Sequence, residues 1–318
     1  MHLRRLLIPI AASAAAALVL SGCSSSSDAA SGAAGETATV KIGTLRGQPH
    51  FYAPFLYEDF AAEGVRFEVI TLDTTPALSD ALVAGTIDFA ISGVTPTIAS
   101  VAQGRDLRIV ASAADGGSGF IGNDSIQTLD DLVGKKVGYM QTTAQEVAMR
   151  LTLEEAGVDP DDIELVTVLA PEMAGQLESG SIDAFFGVEI GASIALEQGG
   201  HEFADPYATP IGKVNLGLVT TGALIAEDPE LVQQVVDTHV AATDWMTGNE
   251  DEWLSEMVSM FGGDQAIFDT AIANFWMRSD LSEEYLGQLE ALATEMGELG
   301  FVEDAPAIED VVDTSFVE

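Results

Sequence analysis

A short segment of this chain occurs twice. Leu82-Val83-Ala84-Gly85-Thr86-Ile87-Asp88 is matched 95 positions later by Leu177-Glu178-Ser179-Gly180-Ser181-Ile182-Asp183, and Pro76 has its counterpart in Pro171 at the same offset. In each copy a proline opens an apolar-periodic helix, a glycine stands where a left-handed C-cap is needed, and Ile-Asp leads into an apolar strand. One Gly-x-Ile-Asp is ordinary helix-to-strand punctuation, but two copies with aligned prolines mark a repeated structural unit. Two similar α/β lobes with a cleft between them are the expectation.

The pattern around the repeat alternates strand with helix. Strands are predicted at Val40 to Leu45, Phe67 to Thr71, Phe89 to Ser92 and Leu107 to Ser112, with helices between them from Ala53, Pro76 and Pro96. Such βα alternation implies mainly parallel sheets flanked by helices. The run Asp115-Gly116-Gly117-Ser118-Gly119 breaks the rhythm and is read as the first crossing between lobes. A second lobe then spans 115–213, with helices from Ala144 and Pro171 and strands near Val137, Ile163 and Ala184. Val214 to Thr221 reads as a returning strand, so that 36–114 and 214–318 form the first lobe. The C-terminal segment reads as helices from Pro229, Glu250, Gln265 and Glu283, carrying Trp245, Trp253 and Trp276 as packing residues. Hinge strands are expected near Ser112 and Val219.

The N-terminal residues have another task. Arg4 and Arg5 precede an apolar run from Leu6 to Leu20 and then Leu20-Ser21-Gly22-Cys23, which resembles a bacterial lipoprotein signal. The run is shorter than the roughly 20 apolar residues of a membrane span. Residues 1–22 are therefore read as a signal peptide with Cys23 as the lipidation site, and 23–35, rich in Ser, Ala and Gly, as a flexible tether. Cys23 is the single cysteine, so no thiol remains for a disulfide, a metal cluster or nucleophilic catalysis. Without residues 1–22, ten basic residues face 51 acidic ones, a formal charge of −41. Nucleic acid and a bare anionic membrane are poor partners for such a chain, and the acids, dispersed among apolar residues, read as solvated helix faces.

Ligands of open α/β sheets bind beyond the C-terminal ends of the strands, where loops and helix N-termini offer free N–H groups. In the first lobe these loops carry Arg46, Gln48, His50 and Phe51, then Ser92, Gly93 and Thr95. In the second they carry Gln141, Thr142 and Thr143, then Glu189, with Ser112 at the crossing. Arg46 is the clearest cationic candidate, because its guanidinium fork suits a sulfonate or carboxylate. Phe51, Tyr52 and Phe120 could stack on a flat ring, although core packing is the commoner use of such residues. Lys135 and Lys136 read as turn residues outside the cleft.

Four pieces in order, Lys41-Ile42-Gly43, Ala84 to Asp88, Thr128-Leu129-Asp130-Asp131-Leu132-Val133-Gly134-Lys135-Lys136-Val137-Gly138, and Gly180 to Ala184, carry a family likeness. The chain resembles the nitrate, sulfonate and taurine group of ABC-importer substrate-binding proteins, which includes binders of thiamine pyrimidine precursors. The resemblance spans about Val40 to Gly200 and returns weakly at Asp313 to Phe316. It implies a two-lobed periplasmic-binding-protein-like fold of type II, a lipid-anchored monomer outside the cytoplasm, a small-molecule solute, and permease and ATPase subunits as partners. A small organic anion such as an alkanesulfonate or taurine is the implied solute; nitrate and a flat pyrimidine are the alternatives, as is a sensory lipoprotein of the same fold. The chain departs from the group at Gln141-Thr142-Thr143, where a Gly-Ser-rich anion loop is usual, and at Val188-Glu189-Ile190, where an aromatic-acid-proline run is usual. A related hydroxymethylpyrimidine synthase depends on cysteines, a histidine and a cofactor-binding lysine; here no cysteine follows Cys23 and the cleft loops hold no lysine, so neither enzyme activity nor a cofactor is expected. If Cys23 carries the anchor, Cys23→Ser should move the protein from the membrane to the soluble fraction or block its maturation, because each buried acyl CH₂ contributes about 0.8 kcal/mol.

Overall fold

The computed structural model describes residues 37–317, so the predicted signal peptide, the Cys23 lipidation site and the tether lie outside the described residues. Within them the chain makes eleven strands: β1 (Ala38–Leu45), β2 (Val65–Leu72), β3 (Phe89–Gly93), β4 (Leu107–Gly116), β5 (Ser118–Gly122), β6 (Lys136–Tyr139), β7 (Glu164–Thr167), β8 (Ala184–Val188), β9 (His201–Glu202), β10 (Val214–Thr221) and β11 (Phe275–Met277). One sheet has the order β11-β4-β10-β3-β1-β2 and the other β7-β6-β8-β5-β9.

The repeat organises both sheets. β2-β1-β3 and β7-β6-β8 are parallel three-stranded units with the same order, and the offset of 95 places Lys41 on Lys136 and Asp88 on Asp183. Each aspartate closes the same reciprocal link. The Lys41 N–H donates to Asp88 Oδ2 at 2.7 Å and the Lys136 N–H to Asp183 Oδ2 at 3.0 Å, while the Asp88 and Asp183 N–H groups donate to the carbonyls of Lys41 and Lys136 at 2.8 and 2.7 Å. The preceding glycines, Gly85 and Gly180, take φ of 65° and 71°, which a side chain disfavours.

The sheets are mixed rather than mainly parallel. β10 runs antiparallel to β3 and β4, β11 to β4, and β5 to both β8 and β9, because the strands beside each crossing must turn the chain back. Ser112 and Val219, expected near the hinge, are paired inside the first sheet with Gly217 and Ile109. β4 continues past Ser112 to Gly116, so the chain leaves the first sheet at Gly116-Gly117, both with positive φ, and returns through residues 203–213. The helix expected from Gln265 to Phe275 ends at Ala271, and Phe275–Met277 becomes edge strand β11.

Two apolar clusters cover the faces of the first sheet. One holds Ile42, Tyr57, Phe89, Leu218, Val236 and Trp253. The other runs from Leu78, Ile98 and Ile109 through Tyr285, Leu289 and Met296 of helix Glu283–Glu298 to Val137, Val147 and Phe186 of the second lobe. That helix packs on Val94–Ala102 in one lobe and Ala144–Ala156 in the other, so a single apolar contact surface joins the lobes. Among the described residues no helix is long and apolar enough to cross a membrane.

His239 is a buried polar tie in the first cluster. Its Nδ1 accepts from the Tyr57 hydroxyl at 2.7 Å and its Nε2–H donates to the Ser112 carbonyl at 2.8 Å. Burial lowers its pKa from 6.5 to about 4, so below pH 6.5 the unfolded chain takes up a proton that the folded one refuses. Stability from this site is complete above pH 6.5 and falls as the pH approaches 4. Between pH 7 and pH 5 wild type should lose about 2 kcal/mol more than His239→Gln, measured by urea unfolding at both pH values.

Candidate functional site

The C-terminal ends of β1, β3 and β4 lie on one edge of the first sheet, and the crossing at Gly116-Gly117 brings the ends of β6 and β8 opposite them. After β1 the chain makes a 3₁₀ turn, Pro49–Phe51, which the Thr44 hydroxyl fixes by donating to the Phe51 carbonyl at 2.6 Å. His50 is buried in this turn against Phe51 and Phe275, and burial lowers its pKa to about 4, so it is neutral at pH 7. After β3, helix Val94–Ala102 starts with Gly93 as N-cap and no side chain closing its end.

Polar groups at these two ends are buried without partners. Among the described residues nine buried side-chain N or O atoms lack a hydrogen bond, and four of them, Gln48 Oε1, His50 Nδ1, Ser92 Oγ and Thr95 Oγ1, belong to these neighbouring loops. β1 and β3 are adjacent strands, about 4.8 Å apart, so the loops lie side by side. Buried polar atoms normally find partners, and a cluster without them marks where an absent ligand or water belongs.

The remaining predicted residues sit differently. Arg46 is exposed, with Nη2 3.5 Å from the Thr71 hydroxyl and its guanidinium 5.9 Å from the Phe261 ring. The Ser112 hydroxyl donates to the Asp280 carbonyl inside the sheet. Phe51, Tyr52 and Phe120 are core residues. In the second lobe Gln141 and Thr142 are exposed, and Gln141 Nε2 donates to the Tyr139 hydroxyl at 3.2 Å. Thr143 caps helix Ala144–Ala156 by accepting from the Glu146 N–H at 3.2 Å. The Glu146 carboxylate accepts from the Thr142 N–H at 2.8 Å and from Arg150 Nη2 at 2.8 Å, so the chain's own acid stands at this helix start.

Glu189 belongs to the crossing. Its Oε2 accepts from the Ser193 hydroxyl at 2.6 Å and its Oε1 from Asn274 Nδ2 at 2.7 Å, while burial pushes its pKa up against those bonds. The Gly117 N–H donates to the Asn274 carbonyl at 2.7 Å, the Gly116 N–H to the Lys213 carbonyl at 2.7 Å, and Asn215 Nδ2 to the Gly116 carbonyl at 2.6 Å. The Tyr207 hydroxyl donates to Asn274 Oδ1 at 2.7 Å and accepts from the Ser118 N–H at 3.1 Å. Sequence reasoning missed Asn274, Tyr207 and Asn215. It also missed Arg278, which pairs with Asp115 and Asp280; burial raises Asp115 to about 6 in spite of the arginine. The scarcity of basic residues could have flagged Arg278.

The family model described as NMT1/THI5 like matches residues 59–253. The chain belongs to this family. A formylaminopyrimidine-binding protein of Halalkalibacterium halodurans is 27% identical over 266 residues, covering 80% of this chain and 76% of the relative. The alkanesulfonate-binding protein SsuA from Xanthomonas axonopodis pv. citri, bound to MOPS, superposes with a TM-score of 0.76 at 18% identity, over 89% of this chain and all of that one. The desulfurization enzyme DSZB does so with a TM-score of 0.65 at 18% identity, over 87% of this chain and 97% of its own. These structures share the two-lobed fold, and one of them puts it to enzymatic use.

The crossing tolerates no side chain at Gly116. A Cβ there would lie 2.6 Å from Trp276 Cζ3 and 2.7 Å from the Asn274 carbonyl, at a φ of 77°. Gly116→Ala should destabilise the free protein by about 2 kcal/mol or more in denaturant unfolding.

Proposed function

We propose that this chain is the extracytoplasmic solute receptor of an ABC importer, which captures a small organic anion between its lobes and presents it to permease and ATPase subunits. The observation that carries this reading is the group of unpartnered buried polar atoms at Gln48, His50, Ser92 and Thr95, on the sheet edge where α/β folds take ligands. Family membership supports a binding role, and the alkanesulfonate-binding protein of the same fold supports the anion. The group holds no thiol and no lysine, and the curated relatives this chain resembles are binding proteins, which supports binding without catalysis. The lipid anchor at Cys23 and a monomeric state complete the proposal.

A second reading, a flat pyrimidine, has the Halalkalibacterium relative in its favour. It would need a ring to stack on, and Phe51, Tyr52 and Phe120 are each enclosed in a core.

A thermal-shift panel on residues 36–318 with alkanesulfonates, taurine, nitrate and pyrimidines tests both. A true solute at about 100 times its Kd should add about 2.7 kcal/mol of stability. The same solute should reduce the radius of gyration in small-angle scattering without changing the circular dichroism spectrum, as lobe closure requires. A panel in which only a pyrimidine shifts the melting curve would replace the anion with the heterocycle.

A further inference from the structure

Helix Val94–Ala102 presents an open N-terminus. Gly93 supplies no side-chain cap, Pro96 has no N–H, and the first-turn N–H groups of Val94 and Thr95 have no acceptor within the helix. Two hydroxyls accompany it. Ser92, next to the N-cap, is 0% exposed and Thr95, in the first turn, is 1% exposed, and neither oxygen has a hydrogen-bond partner. Helix Ala144–Ala156 across the cleft is different, because the Thr143 hydroxyl caps it and the Glu146 carboxylate sits at its start.

The cations nearest the loop after β1 and the crossing have other contacts. Arg46 lies exposed by Thr71 and Phe261, Arg278 is shared by Asp115 and Asp280, and the Lys213 ammonium sits 3.7 Å over the Trp276 ring. In the loop beside the open helix, Gln48 is neutral and His50 is deprotonated at pH 7.

Building on the receptor reading above, we propose that the anionic oxygens of the solute sit at the N-terminus of helix Val94–Ala102, held by the Ser92 and Thr95 hydroxyls and the free first-turn N–H groups, with no cationic side chain in contact. The helix dipole and oriented donors supply the positive potential. The chain's large negative charge repels the same anion at long range, and salt screens that repulsion as the Debye length falls from about 30 Å at 0.01 M to about 8 Å at 0.15 M. Anion affinity therefore strengthens as salt is added.

The seat also separates binding from stability. An unpartnered buried hydroxyl costs the free protein stability, so removing it should not lower the melting temperature even though it weakens the solute.

Titration calorimetry with ethanesulfonate and taurine on the folded domain tests the proposal. Ser92→Ala and Thr95→Val should each raise Kd at least tenfold with a melting temperature equal to or above wild type, Thr95→Ser should stay within about threefold, and Arg46→Ala within about twofold. Wild-type affinity should rise at least severalfold from 0.01 to 0.15 M NaCl. Unchanged Kd in Ser92→Ala and Thr95→Val, a large loss in Arg46→Ala, or affinity that falls with salt would overturn the seat while leaving the receptor intact. Wild type that binds neither sulfonates nor other small anions at millimolar concentration would overturn the anion reading itself, and the seat with it.

Discussion

The arrangement of this molecule depends on how two adjacent glycines are held. Gly116 and Gly117 carry the chain from one sheet to the other in left-handed conformations, and their N–H and carbonyl groups are claimed by Lys213, Asn215, Asn274 and Glu189. Asn274 reaches across: its carbonyl takes the Gly117 N–H, and its side-chain amide donates to the Ser118 carbonyl at 2.8 Å and to Glu189 at 2.7 Å. One residue at the start of β11 thus binds the crossing and the second lobe together. Backbone groups leaving a sheet must find partners, and here both lobes supply them, which fixes the relation between the two ligand-facing edges. Helix Glu283–Glu298 adds an apolar contact with both lobes on the other side of the crossing.

What could be read in the sequence is what local pattern encodes. The repeat of Gly-x-Ile-Asp located β3 and β8 because the aspartate bonds backbone in its own unit, between residues 47 positions apart, and the glycine conformation is set by the chain itself. The loops after β1 and β3 followed directly. β5, Ser118–Gly122, was hidden because two glycines in five residues look like a turn, and only pairing with β8 makes it a strand. β11 was hidden because Phe275–Met277 continues the periodicity of the preceding helix and becomes extended by pairing with Gly116, Asp115 and Ala114. Asn274 and Tyr207 act through partners dozens of residues away, as Arg278 does through Asp115, and no local pattern reports those pairings.

The scarcity of positive charge explains much of the interior. Among the described residues three acids are fully buried, Asp115, Glu146 and Glu189. Asp115 has Arg278, Glu146 has Arg150, and Glu189 is satisfied by neutral donors from Ser193 and Asn274. A buried charge without a partner is far costlier than a surface one, so the few arginines go first to these acids. Surface carboxylates stay hydrated and need no cation.

A ligand edge built under that constraint must obtain its positive potential from the backbone. Helix starts are the available source, and the two at the facing edges differ: one capped by the Thr143 hydroxyl with the Glu146 carboxylate beside it, the other left with unpartnered hydroxyls and a glycine cap. A carboxylate at the first turn satisfies free N–H groups and stabilises the helix without a ligand, whereas an open turn holds its donors unpaired until something enters. Under the proposed seat the asymmetry gives the cleft a direction, with the electropositive end on the first lobe and the neutral side chains of Gln141 and Thr142 on the second. In a chain whose long-range field opposes anions, the proposed seat would rest recognition on short-range donors that salt does not weaken, while the dense surface charge serves solubility without competing for the site.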